Sequence, residues 1–174
     1  MRSVRYTRAT MALHPFEEHI PRLRRYAVAL LRDRGRADDL VQDTLERALR
    51  KFGLFRRDSD LRAWLFTVMH NVFVNQVRAN AVRGDTVAFD DNEPEHSPLD
   101  NTAALRDLSV ALALLPPEQR AVVLLVGMEQ LSYDEAARVL GVPQGTVMSR
   151  LSRGRERLHK LMSGDSTPQL RRIK

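Results

Sequence analysis

The 174-residue chain contains no cysteine, which excludes disulfides and thiolate metal sites. No apolar run approaches the roughly 20 residues needed to span a bilayer. The basic start, Met1 to Thr10, is not followed by an apolar stretch or a small-residue cleavage site, so it is not read as a secretory signal. A cytoplasmic location is the simple expectation; residues 1–14 read as a flexible N-terminal arm, and Met11 leaves open whether residues 1–10 belong to it or are an over-extended start. A glycine-rich phosphate loop is missing, and His14, His19, His70, His96 and His159 are scattered. Catalysis, a cofactor and a small-molecule substrate therefore have no foothold. Strand formers are sparse, whereas Ala, Leu, Arg and Glu abound, which favours an all-α chain.

Positive charge is abundant and segregated. The formal net charge is +6, with an isoelectric point near 10.4, the footprint of a polyanion binder. Residues 1–80 carry 16 Lys/Arg against 9 Asp/Glu, and residues 105–174 carry 11 against 7. The intervening residues 81–104 carry 1 against 6. Two basic blocks flank an acidic strip.

The first block, residues 15–83, reads as a three- or four-helix bundle. Ile20, Leu23, Ala27, Leu30 and Leu31 recur at helical spacing, with Gly35 as the expected stop. A second helix is expected from Arg36 to Phe52. Its apolar stripe is Ala37, Leu40, Val41, Leu45, Ala48, Leu49 and Phe52, with acids at its start and Arg50 and Lys51 at its end to complement the dipole. Its wet face carries Asp38, Asp39, Gln42, Asp43 and Glu46. A metal reading of those acids competes weakly with a plain solvated ridge, because no second acidic cluster faces them. After a loop, Ser59 or Asp60 can cap a third helix, Leu61 to about Val82. That helix is apolar on more than one side and belongs at the centre of the bundle, with Trp64 on its buried stripe.

From Gly84 to Asn101 periodicity vanishes, and Pro, Asp, Asn and Glu dominate. This is the pattern of a flexible acidic linker, able to extend to roughly 60 Å at about 3.3 Å per residue; an Ω-loop within one domain is the alternative. The second block spans residues 102–163, and a basic tail, 164–174, ends the chain. Pro117 suits a first helical position, and the apolar run Ala121 to Val126 supplies a core. Ser132, three residues before Glu135, is a capping box, Gly141 is a left-handed stop, and Val142-Pro143 turn the chain. A last helix is expected from about Gln144 to Met162. At 100° per residue Val147, Leu151, Gly154, Leu158 and Leu161 fall on one side, and Thr146, Ser149, Arg150, Arg153, Arg157 and Lys160 on the other. Short helix, glycine turn and Arg/Ser/Thr-faced helix describe a helix-turn-helix that reads the DNA major groove; a solvated basic face is the bland alternative.

The string LSYDEAARVLGVPQGTVMSRLSRGRERL resembles the promoter −35 reading segment of extracytoplasmic-function (ECF) sigma factors. ADDLVQDTLERALRKF is similar to that family's RNA-polymerase-binding helix, and DLRAWLFTVMHNVFVNQVRA to its −10 recognition and melting helix. The resemblance runs in order from about Phe16 to Met162. It implies an alternative sigma factor, held by an anti-sigma protein, that brings core RNA polymerase to promoters in a stress or signal response. Asp38, Asp39, Gln42, Asp43 and Glu46 would meet polymerase. Phe55, Arg56, Arg57, Asp58, Asn71, Asn75 and Arg78 would bind the melted −10 strand, an amide such as Asn71 offering both donor and acceptor to an extruded base. The residues that would read the −35 duplex are Thr146, Met148, Ser149, Arg150, Arg153 and Arg157; Met148 stands where many relatives have a basic residue. Asn71 and Asn75 also fit ordinary surface amides. A stand-alone helix-turn-helix regulator is the main rival, and the acidic ridge and the Arg56-Arg57 loop argue against it.

Overall fold

The computed structural model describes residues 15–56, 58–83 and 103–163, the side chains of 80–83 excepted. The expected arm (1–14), linker (84–101) and tail (164–174), together with Arg57, lie outside the described residues. All regular structure among the described residues is helical.

Helix α1 is Ile20–Leu31, and α2 is Arg34–Lys51. The break between them corrects the expectation that Gly35 stops the first helix. Arg32 itself takes the left-handed conformation (φ 62°) and donates its N–H to Val28 O, closing α1 three residues earlier. Asp33 then accepts the Arg36 N–H at 2.9 Å and starts α2, so Gly35 lies inside that helix. The first turn of α2 therefore holds no acid, and the dipole is met by the Asp33 cap at one end and by Arg50 and Lys51 at the other. A 3-10 turn, Phe52–Leu54, leads into the loop.

Helix α3 is Leu61–Arg83. Asp60 caps it, accepting from the N–H groups of Arg62 (2.8 Å) and Ala63 (3.3 Å). Ser59 does not cap; its hydroxyl donates to Arg56 O and closes the loop instead. Leu65, Phe66, Val68, Met69 and Val72 are all buried. These positions wrap around more than one side of the helix, and α3 accordingly packs between α2 and the later helix α6.

The second block comprises α4 (Ala103–Ala113), α5 (Pro117–Val123), a wide turn Leu124–Met128, α6 (Tyr133–Leu140) and α7 (Gln144–Met162). The capping box at Ser132 and Glu135 forms in full, and Gly141 (φ 64°) ends α6 in the left-handed conformation. On α7, Val147, Leu151 and Gly154 are buried. Gly154 is needed for close approach, because a Cβ there would lie 2.8 Å from Val123 Cγ2. Gly154→Ala gains up to about 1 kcal/mol of helix propensity, but overpacking costs roughly 1–3 kcal/mol. Val123 is β-branched and yields little. A net stability loss of about 1 kcal/mol is expected in urea titration, with α7 displaced from α5.

The two blocks are packed on each other and share one core. α1 lies against α4, α5 and the Leu124–Met128 turn, while α3 lies against α6. Arg120, only 2% exposed, ties the blocks together: its guanidinium donates to Leu30 O at the end of α1 and to the carbonyls of Leu112, Ala113 and Leu115.

Candidate nucleic-acid and partner interfaces

Packing of the halves leaves the polar face of α7 in solvent. Met148 (52% exposed), Ser149, Arg153 and Arg157 are exposed, and Thr146 is half-buried. Arg153 Nε donates to Ser149 O at 3.2 Å, which steadies the side chain along the helix. The Ser149 hydroxyl donates to Thr146 O. Pro143 precedes α7 without a side-chain cap, so the first N–H groups of the helix are open to an anionic group. Arg150 differs from its neighbours. Its side chain is 22% exposed and bonds Glu118 Oε2 of α5 at 2.6 Å, which braces α7 against α5.

The same arginine acts on His70 of α3, across the seam. Burial first, and the Arg150 cation second, hold the His70 imidazole below its ordinary range. A base with a depressed folded pKa contributes stability above its unfolded value, about 6.5, and loses it as pH falls through the folded value. The unfolding midpoint is therefore expected to drop on acidification below pH 6.5, by less in His70→Gln than in the parent. Comparing the two proteins isolates this group from Glu129, whose carboxyl is held above its usual range by burial, outweighing nearby arginines, and shifts stability the opposite way.

The loop before α3 joins an aromatic cluster to an ion pair. Phe55 stacks on Phe52 (centroids 5.8 Å, planes 6° apart) and lies 5.2 Å from the ring of Trp64. Trp64 is half-buried against the core, also contacting Phe16 and Phe52. Arg56 grips Asp58 through two nitrogens, at 2.8 and 3.2 Å, and holds that carboxyl below the usual carboxylate range. Asn71, Asn75 and Arg78 are exposed and, at spacings of four and three, share a face of α3.

On α2 the five ridge residues Asp38, Asp39, Gln42, Asp43 and Glu46 are all exposed. Their partners fix the ridge without covering it: Arg24 holds Asp38 at 2.7 Å, Gln76 of α3 donates to Asp43 at 2.9 Å, and Arg50 reaches Glu46 at 3.4 Å. The structure thus gathers three separate exposed surfaces, on α2, on the loop with α3, and on α7. Sequence reasoning missed Arg62, Glu118, Arg120 and Glu129. Glu129 ends an apolar run and Arg120 begins one, and that placement is the only signal that either is buried.

Comparison with known proteins places the chain in a family. Residues 16–70 match the Sigma2 domain of PhyR, and residues 105–158 match Sigma-70, region 4. The chain is 37% identical over 148 residues to the ECF RNA polymerase sigma factor EcfG of Rhodopseudomonas palustris, covering 84% of this chain and 82% of that protein. It is 37% identical over 150 residues to the ECF RNA polymerase sigma factor SigM of Mycobacterium tuberculosis, covering 84% and 74%. Among solved structures it is similar to the sigma factor RpoE from Bartonella quintana, in complex with the anti-sigma factor NepR, with TM-score 0.77, 35% identity, and 88% and 97% of the two chains covered. It is also similar to CnrH in complex with the cytosolic domain of CnrY, with TM-score 0.64, 27% identity, and coverage of 91% and 96%. With both halves matched in order and the identity sustained across them, the chain belongs to the ECF RNA polymerase sigma factors.

Proposed function

We propose that this chain binds core RNA polymerase, directs it to promoters through −10 and −35 elements, and promotes strand opening, under the control of an anti-sigma protein. The observation that carries the reading is the exposed Arg153–Arg157 face on the second helix of a helix-turn-helix whose first helix is capped at both ends, within a chain of this family. Residues 15–83 would bind polymerase and the −10 strand, with the α2 ridge meeting a basic surface of polymerase. Phe55, Arg56, Asp58, Asn71, Asn75 and Arg78 would hold the melted strand, a base stacking beside Phe55 and an amide engaging its pairing edge. Residues 102–163 would read the −35 duplex, Arg153 contacting a guanine edge and Ser149 a base or phosphate.

Relatives solved with an anti-sigma factor or with the cytosolic domain of CnrY support the inference of such a partner here, in the cytoplasm. The chain itself carries out no bond chemistry on this reading; polymerase does. No helix among the described residues is long and apolar enough to cross a membrane.

On this reading the two halves engage elements two DNA turns, about 70 Å, apart, and the packed arrangement opens so that each half reaches its own element. Run-off transcription with purified core polymerase tests the function: specific transcripts are expected only when the chain is added, and promoter-directed transcripts from core alone, or none with the chain, would refute it.

A further inference from the structure

The seam between the halves buries a charge in a poorly fitted seat. Glu129 follows the Leu124–Met128 turn, and its side chain is 1% exposed. Neither carboxylate oxygen has a hydrogen-bond partner among the described residues. It faces α1 and the first turn of α3: Arg22 Nη1 lies 3.9 Å away, and Arg25 and Arg62 act on it electrostatically. Arg62 Nη1 donates to the Glu129 backbone carbonyl at 3.1 Å. The Tyr26 hydroxyl, under the electrostatic influence of Glu129, is buried with no hydrogen-bond partner among the described residues.

A carboxylate that matches arginine forms short paired hydrogen bonds. Here three guanidinium groups surround one carboxylate whose oxygens accept none, so the seat is complementary in charge and underfilled in geometry. The neighbouring hollow is lined by Glu18, His19, Arg22, Asp60 and Arg62. With Glu129 in place, the three arginines face three carboxylates, Glu18, Asp60 and Glu129. With Glu129 withdrawn, the site carries a net positive charge.

We propose that Arg22, Arg25 and Arg62 form a site for a backbone phosphate of promoter DNA, which Glu129 of the other half occupies while the halves are packed. DNA entry and seam closure then exclude each other. Arg62 stands in the first turn of the helix that follows the 55–58 loop, so a phosphate seated there lies beside the strand assigned to that loop. This rests on the promoter-binding reading above. The same position favours nucleic acid over an acidic protein. Opening exposes the arginines and hydrates Glu129 in one step, so the charge that closes the free protein is the charge that DNA replaces.

The test uses the full chain, with dyes on introduced cysteines at Lys51→Cys and Met162→Cys, and a forked oligonucleotide of mixed sequence at about 50 mM salt. Glu129→Ala is expected to lengthen the inter-dye distance and tighten binding about five-fold, with a steeper dependence on salt. Adding Arg22→Ala should keep the seam open and abolish that gain. An open seam with no gain, or a gain that survives Arg22→Ala, overturns the proposal. If Glu129→Ala does not fold, the parent decides: saturating forked DNA must lengthen the inter-dye distance, and binding without that change overturns the proposal. Run-off transcription on the same samples separates the two claims: normal promoter-directed transcription alongside a failed distance test sinks the phosphate site alone, whereas absent transcription sinks the promoter reading.

Discussion

Replacing Arg153 with alanine is expected to cut promoter-directed run-off transcription by roughly 5- to 150-fold while leaving affinity for core polymerase unchanged. The range follows from the roughly 1–3 kcal/mol by which one bidentate arginine–guanine pair discriminates among bases. Arg153 is exposed and braced by its Nε bond to Ser149 O, so on the proposed reading it would meet the groove partly ordered. Its loss leaves α7 intact, because the buried face of the helix is Val147, Leu151 and Gly154. The readout is transcription across single-base variants of the −35 element: the parent discriminates among them, and Arg153→Ala does so much less at one position. Arg150→Ala should behave differently. Its guanidinium is held by Glu118, which is 68% exposed, so that pair contributes about 1 kcal/mol or less. Its removal loosens the seat of α7 rather than deleting one base contact, and its effect should spread over all −35 positions.

Reversing the α2 ridge with Asp39→Lys and Asp43→Lys is expected to weaken binding to core polymerase about 100-fold or more. Close charge pairs at protein interfaces couple by about 1.5–7 kcal/mol, and juxtaposed like charges cost several more. Both side chains are exposed, and among the described residues only Asp43 has a cross-helix partner, the Gln76 amide. Folding should therefore change by no more than about 0.5 kcal/mol. Binding of labelled chain to core polymerase, followed by fluorescence anisotropy, reads the effect. Raising the salt concentration should weaken the parent toward the variant, because exposed charges are screened beyond roughly 8–10 Å. Equal affinity of parent and variant would remove the ridge from the interface.

The parts of the fold legible in the sequence are those set by local chemistry. Ser132 and Glu135 satisfy each other's backbone donors within four residues, and Gly141 occupies a conformation that other residues resist. Both features, and the separation of faces on α7, follow from spacing alone. The α1–α2 break was not legible, because the strong stop residue, Gly35, sits beside a better cap, Asp33, and Arg32 takes the left-handed turn that a glycine would be expected to supply. The exposure of the α2 ridge and of the 71/75/78 face followed from helical periodicity. How the halves meet did not. Arg120 reaches Leu30 O across 90 residues, and Arg62 reaches Glu129 O across 67. Such pairings depend on which faces meet in space, and helical spacing carries no record of that. The same holds for Arg150, which spacing assigns to the DNA face and which the fold turns toward Glu118.

On the proposed function this chain docks on core RNA polymerase and carries its exposed arginine face to a promoter. Gel filtration of the full chain with purified core polymerase at low salt tests it most directly. Co-elution in a one-to-one complex that then retards promoter DNA is the predicted result; separate elution of the two proteins contradicts it.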